Sequence, residues 1–308
     1  MQTYSTLVEA GRAGNLRGCA ASLGNFDGVH LGHQALFARA ATLGRVVAVT
    51  FDPHPGKVLH PELAPRLIAT SARKLELLAA AGVHACVVQP FTREFARTTP
   101  AEFEALLFET LGAQAVVVGA DFTYGKARAG TVERLEGAAL AAGATVSIVE
   151  PVTLEGVVVS SSRVREYVLE GRVEAAARML GRPFDLDGVV VKGAQRGRTI
   201  GFPTANVDTP NELRPAAGVY AIEVRLADGR RVGGACNIGT KPTVGGGEVT
   251  IECHLFELAE DLYGQTLRVA FLERLRSEQR FSGLDALKAQ IERDVVAARV
   301  VFNRRLSG

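Results

Sequence analysis

Between residues 18 and 149 short apolar runs alternate with amphipathic stretches: GCAASLGNF, HQALFARAATL, RVVAVTF, SARKLELLAAAG, HACVVQPF, PAEFEALLFETLG, QAVVVG, VERLEGAALAAG and TVSIVE. Five strand-like runs separated by helix-like ones predict βαβ units. Such units build a parallel, doubly wound sheet with right-handed crossovers and ligands at the carboxyl ends of the strands. Two more helix-like pieces, SSRVREYVLEG and VEAAARMLG, end in Gly171 and Gly181, in the manner of helix C-caps. After Arg182-Pro183 the period changes. DLDGVVVKG, GVYAIEVRL, RRVGGACNIG, GEVTIECHLFEL and QTLRVAFLERL are strand-like and separated by turns such as Ala227-Asp228-Gly229, the pattern of a small antiparallel barrel. The tail places Leu284, Leu287, Ile291, Val295 and Ala298 three or four apart, which predicts one amphipathic helix closing that barrel.

The length of 308 residues fits about two domains, and the change of period puts their boundary near 182–186, giving domains 1–183 and 184–308. With 47% hydrophobic and 22% charged residues the chain is globular. No apolar run reaches the roughly 18 residues of a membrane span, so no membrane partner is expected. The start, MQTYSTLVEAGRAGNLRG, lacks a basic and apolar export signal, which predicts a cytoplasmic protein. Residues 1–183 carry 18 Lys+Arg against 17 Asp+Glu, and residues 184–308 carry 17 against 16, so neither half is a basic platform for nucleic acid. Cys19, Cys86, Cys236 and Cys253 form no C-x-x-C and sit among apolar neighbours, as buried free thiols do.

Gly24-Asn25-Phe26-Asp27-Gly28-Val29-His30-Leu31-Gly32-His33 falls where the first strand-like run gives way to a helix. A helix N-terminus offers unsatisfied N–H groups and a positive dipole end, and glycines let a phosphate approach the backbone. His30 and His33 can project to one side and donate to the same phosphate. The plainer alternative is a pair of surface histidines capping a helix. Val118-Gly119-Ala120-Asp121-Phe122-Thr123-Tyr124-Gly125 ends another strand, a place that favours a ligand, although Phe122 or Tyr124 could equally be core. His54, at a third strand end, reads as structural; His60 and His84 read as loop or edge residues. Ser160 to Ser162 with Arg163 and Arg165 open a helix, where hydroxyls serve as caps or, with two guanidiniums, as a cradle for a triphosphate tail.

In the second half, Lys192 to Asn206 (KGAQRGRTIGFPTAN) joins a strand to a polar loop whose Gly193, Gly197 and Gly201, with Arg196 and Arg198, suit either a phosphate cradle or a solvated turn. It is not a Walker loop, since G-K-[ST] is missing. Thr204 and Asn206 offer a hydroxyl and an amide oxygen to a hard cation such as Mg²⁺. In Glu248 to Leu255 the odd positions make an apolar face, and Glu252 and His254 share the other. Glu252 is a solvated carboxylate, or a general base if the loop opens onto its face.

His-x-Gly-His at a strand-to-helix junction is the signature of nucleotidyltransferases that transfer an adenylyl group by direct attack on the α-phosphate of ATP. The chain as a whole resembles the prokaryotic bifunctional riboflavin kinase/FAD synthetase family. The motifs are GNFDGVHLGH, TFDPHP, VGADFTYG and SSSRVR, then RGRTIGFPTAN, GVYA, NIGTKPT, ECHL, DLYG and LRSEQRF. GFPTAN is specific to flavokinase barrels. The resemblance implies phosphorylation of riboflavin by ATP at the barrel and adenylylation of FMN to FAD at the Rossmann-like domain. It implies that His30 and His33 contact the ATP phosphates and that Gly24, Asn25, Phe26, Asp27 and Gly32 bind ATP or flavin. Ser161, Ser162 and Arg165 would take the pyrophosphate, and Asp121 and Tyr124 the nucleotide or flavin. Gly193, Arg196, Gly201 and Pro203 would shape the kinase site, Thr204 and Asn206 would hold Mg²⁺ and ATP, and Glu252 would take the ribityl proton. Ser162, Tyr124, Lys241 and Val244 depart from the family's usual Thr, Phe, Arg and Phe, and Lys241 loses the bidentate fork of arginine. An aminoacyl-tRNA-synthetase-like enzyme is disfavoured by the neutral charge of both halves. A non-catalytic flavin sensor is disfavoured by the presence of His33, Thr204 and Glu252.

Overall fold

The computed structural model describes residues 1–193, 201–241, 248–258 and 260–306. They divide into two compact units, one of residues 1–66 and 70–160, the other of residues 67–69 and 161–308.

In chain order the first unit holds β1 (Gln2–Tyr4), α1 (Leu7–Ala13), β2 (Ala20–Leu23), α2 (Leu31–Ala41), β3 (Val46–Asp52), α3 (Pro55–Leu59), α4 (Ser71–Ala80), β4 (Ala85–Pro90), α5 (Pro100–Ala105), β5 (Ala115–Gly119), α6 (Val132–Ala141) and β6 (Thr145–Val149), then a small hairpin of β7 (Thr153–Leu154) and β8 (Val157–Val158). The sheet runs β1-β4-β3-β2-β5-β6 and every pair is parallel. Continuous apolar runs such as VVAVT in β3 are buried on both faces, as helices covering a parallel sheet require. The sixth strand, β1, is one more than the periodicity predicts. It is three residues long, too short to show alternation, and is held by buried Tyr4 and by pairing with β4. The chain leaves β2 through β3 and β4 on one side and returns through β5 and β6 on the other. The reversal makes the carboxyl end of β2 the topological switch point.

The second unit opens with α7 (Ser161–Leu169) and α8 (Val173–Leu180). It continues through β9 (Phe184–Val191), β10 (Ala205–Asp208), β11 (Gly218–Arg225), β12 (Arg231–Lys241), β13 (Glu248–Leu255) and β14 (Thr266–Arg276) to α9 (Leu284–Leu306). The strands close as β10-β13-β12-β11-β14-β9, antiparallel throughout, so no sheet edge is left open. Helix α9 covers the barrel with Ala298, Val295 and Val301 against Ala221, Ala235, Leu272 and Leu275. Asp294 on the same helix is buried and takes the Arg276 guanidinium, with Nη2 at 2.8 Å. Leu284 departs from the expected face: it is 62% exposed, because the helix begins beyond the surface that it covers. The break between compact units falls before α7, so the two helices preceding Arg182-Pro183 pack with the barrel. Val173, Ala176, Met179 and Leu180 of α8 are buried, and Arg274 of β14 donates to the Glu170 and Ala217 carbonyls at 3.2 and 2.7 Å.

Candidate functional sites

Beyond Leu23 the chain turns sharply: Phe26, Gly28 and Val29 have φ of +48°, +79° and +44°, a left-handed run unusual for the two with side chains. Phe26, Asp27 and Val29 are buried, so the tight loop is held from beneath by its own side chains. Phe26 packs on Phe37 of α2 at 4.9 Å and meets the His33 ring edge to face at 5.3 Å. A Cβ on Gly24 would stand 3.0 Å from the Phe26 ring, a tight contact to which the ring would have to give.

His30 caps α2, its Nδ1 accepting from the His33 backbone N–H at 3.4 Å. That assigns the proton of the neutral ring to Nε2, which is thereby a donor. The two imidazoles are stacked, with centroids 3.6 Å apart and planes 20° from parallel. A Cβ on Gly32 would lie 3.1 Å from the His30 ring, so the glycine of H-x-G-H makes room for this stack. Burial, with help from His30 and Lys74, holds the His33 pKa well below the usual histidine value, so the ring is neutral at neutral pH. Its Nδ1 is buried with no hydrogen-bond partner among the described residues.

The loops after β3 and β5 rise at the same sheet edge. His54 caps α3, accepting from Gly56 N–H at 3.1 Å, the structural part that its position suggested. After β5, Asp121 is exposed, whereas Tyr124 is buried and donates its hydroxyl to Glu104 at 2.6 Å; Glu104 in turn receives Arg134 Nε at 2.7 Å. Of the aromatic pair, Phe122 is the half-buried face and Tyr124 anchors the loop. Gly130 makes this possible, because a Cβ there would stand 2.6 Å from the Tyr124 ring. Rings continue from Phe122 through Tyr124, Phe103 and Phe95 to Phe51 and Phe91, with centroids 5.5 to 6.5 Å apart at each step from Tyr124 to Phe91. Phe51, Phe91, Phe95 and Phe122 are half-buried, a wall suited to a flat ring system, which motif reading missed because these rings are dispersed along the chain.

In the second unit, strand register assembles the other constellation. Ile251, Cys253 and Leu255 are buried in the barrel, so Glu252 and His254 face out, as their alternation predicts. Asn206 of β10 and Asn237 of β12 are both in register with Glu252, placing a carboxylate between two amides on neighbouring strands. Asn237, in the NIG motif, was not singled out from the sequence, because cross-strand register is not written in spacing. A methyl on Gly193 would collide with the Asn206 amide, so that glycine is needed for Asn206 to lie against it. Gly201 turns with φ +90°. His254 Nδ1 is 2.9 Å from the Pro203 carbonyl and its ring meets Phe202 edge to face at 5.5 Å, fastening the segment that carries Thr204. Arg196 and Val244 lie outside the described residues. Ser161, Ser162 and Arg165 stand in the first turn and a half of α7. All four cysteines are buried and unbridged.

Known proteins of two families match the two parts of the chain. A family model for FAD synthetase matches residues 13–163 and one for riboflavin kinase matches residues 180–302. The bifunctional riboflavin kinase/FMN adenylyltransferase of Escherichia coli strain K12 is 39% identical over 92% of this chain and 93% of its own. That of Haemophilus influenzae is 36% identical over 98% and 100%. A crystal structure described as a macrolide-efflux protein from Streptococcus pneumoniae is 33% identical and superposes with a TM-score of 0.84 over 93% of this chain and 94% of that one. Among the described residues no helix is long and apolar enough to cross a membrane. With both domain families matched and relatives of this identity spanning nearly its whole length, the chain belongs to the bifunctional riboflavin kinase/FMN adenylyltransferase family.

Proposed function

We propose that riboflavin is phosphorylated on the outer face of the barrel around Glu252, and that FMN is adenylylated at the carboxyl edge of the parallel sheet around His30 and His33. The observation that carries this allocation is that the loop bearing His30 and His33 and the row around Glu252 sit in separate compact units, each on its own sheet. Functionally we assign residues 1–183 to the adenylyltransferase and 184–308 to the kinase, acting on small molecules in the cytoplasm.

At the barrel, the terminal ribityl hydroxyl attacks the γ-phosphorus of ATP. Glu252 takes its proton, and ADP leaves. Asn206 and Asn237 stand in register with Glu252 on the two neighbouring strands, one on each side of the carboxylate. Thr204 and Asn206 present a hydroxyl and an amide oxygen, the donor set of a hard cation, and the missing Cβ of Gly193 leaves the Asn206 amide its place; these residues fit Mg²⁺. Mg²⁺ bound with ATP supplies charge neutralisation at the transferred phosphate.

At the sheet edge, an FMN phosphate oxygen attacks the α-phosphorus of ATP and pyrophosphate leaves. No protein nucleophile is needed; the chain contributes placement and charge stabilisation. The His30 Nε2–H, the His33 imidazole and the N-terminus of α2 do this on the phosphoryl oxygens. Phe51, Phe91, Phe95 and Phe122 offer the isoalloxazine an apolar wall. Chromatography of the products from riboflavin, ATP and Mg²⁺ tests the allocation: the His33→Ala chain accumulates FMN without FAD, about 10² to 10³ down in the second step, and the Glu252→Gln chain converts supplied FMN to FAD. The reverse pattern, or both activities lost in both variants, overturns it.

A further inference from the structure

Helix α4 buries a stripe containing Leu77 and Leu78, and Lys74 lies on that stripe, three and four residues before them. An apolar residue would pack there at lower cost, since burying an ammonium costs several kcal/mol. Burial does pull the Lys74 pKa down, opposed by the negative charges of Asp52 and Asp27, which come from β3 and the loop after β2. The ammonium is put to a specific use. Lys74 Nζ donates to Thr50 Oγ1 at 3.2 Å, and fully buried Thr50 donates that hydroxyl to the Asn25 carbonyl at 3.0 Å. One turn away, Ser71 Oγ donates to Asp52 Oδ2 at 2.9 Å, which docks the start of α4 on the end of β3. Asn25 immediately precedes Phe26, the first left-handed residue of the loop and the ring against which His33 rests.

We propose that Lys74 is a positioning residue for adenylyl transfer, holding the loop of residues 24–29 through Thr50 and the Asn25 carbonyl and so setting where the His30 and His33 imidazoles stand. The proposal rests on the assignment of adenylylation to that histidine pair. The relay has a polarity that only a donor at position 74 can satisfy, because Thr50 spends its single hydroxyl proton on Asn25 and accepts from Lys74.

The test uses the full chain, with FMN-to-FAD kinetics, riboflavin phosphorylation and thermal unfolding measured on Lys74→Met, Thr50→Val, Thr50→Ser and the Lys74→Met/Thr50→Val double variant. The first two lower kcat for FAD formation about tenfold to a hundredfold, the cost of a small displacement of catalytic groups, and leave the KM for FMN within about twofold and riboflavin phosphorylation unchanged. Thr50→Ser, which keeps the hydroxyl, recovers most of the rate. The double variant is no slower than the slower single one, as members of one relay require. If Lys74→Met and Thr50→Val stay within about twofold of the parent, if their losses multiply, or if Thr50→Ser is as slow as Thr50→Val, the proposal is overturned. Should Lys74→Met not fold, the two Thr50 variants decide alone. His33→Ala runs in parallel: normal FAD formation there brings down the assignment of the site itself, whereas a slow His33→Ala beside a normal Lys74→Met brings down only the relay.

Discussion

Glu252 stands between two amides because three strands meet in register, although Asn206, Asn237 and Glu252 are far apart in the chain. Glu252→Gln keeps that row and removes the proton acceptor. Riboflavin phosphorylation is therefore expected to fall about 10²- to 10⁴-fold in kcat, with FMN-to-FAD conversion unchanged, when the two products are resolved by chromatography. His33 carries a different consequence of burial. Its pKa is lowered well below the usual value, first by burial and then by His30 and Lys74. An unfolded histidine titrates at about 6.5. Above that pH neither state holds a proton at His33. Below it the unfolded chain binds one that the folded chain refuses, so stability is lost as pH falls, by up to about 1.4 kcal/mol per pH unit, until the folded pKa is reached. The unfolding temperature of the parallel-sheet unit should drop between pH 7 and pH 5, and His33→Asn should shrink that drop. An equal drop in the variant would show that His33 is solvated. Thiols buried this way are also inert: Cys19 and Cys86 are pushed up to about 11 and about 12 by burial.

Among the elements, the join between α7 and α8 tolerates little change. Gly171 has φ +77°, and a Cβ there would lie 2.7 Å from the Tyr220 hydroxyl and 3.0 Å from Arg274 Cζ. Gly171→Ala meets both backbone strain and a clash against barrel side chains, so urea unfolding of the barrel unit should show a loss of about 2 kcal/mol. A change under about 0.5 kcal/mol would mean that the helices give way freely. The same scale shows what the sequence could reveal. Strands β2 to β5 were legible because parallel strands buried on both faces are continuous apolar runs, and β13 because its alternation separates Glu252 from Ile251 and Cys253. Strand β1 was not, being shorter than one period of evidence. Leu284 kept the helical period past the end of the surface that rewards it. Lys74 was hidden in SARKLELL, where a lysine reads as solvated until the buried stripe through Leu77 and Leu78 is drawn. The alternation that exposes Glu252 is silent on which residues of β10 and β12 stand beside it, because register is set by turns and closure of the barrel.

For the whole molecule, compactness and family resemblance draw different boundaries. The period changes near residues 182–186 and the riboflavin kinase model matches from residue 180, yet α7 and α8 pack with the barrel, as does the short segment 67–69, whose Leu67 N–H reaches Glu212 Oε2 at 3.0 Å. Val173, Met179 and Leu180 are buried at 0%, 3% and 0% exposure. At about 1.5 to 3 kcal/mol for each such side chain, removing α8 forfeits on the order of 5 kcal/mol, a large share of the 5 to 15 kcal/mol by which a domain is stable. Removing everything before residue 184 also takes the Glu170 carbonyl from the Arg274 guanidinium, which keeps that of Ala217. Two fragments separate the boundaries. Residues 161–308 should fold, unfold cooperatively and phosphorylate riboflavin at close to the rate of the full chain, because the outer-face row lies wholly within them. Residues 184–308 contain the same row and should retain activity only at lower temperature and lower urea, with a midpoint well below that of the longer fragment. Equal midpoints for the two would show that α7 and α8 contribute nothing to the barrel, while an inactive but folded 161–308 would show that the kinase site draws on residues before Ser161.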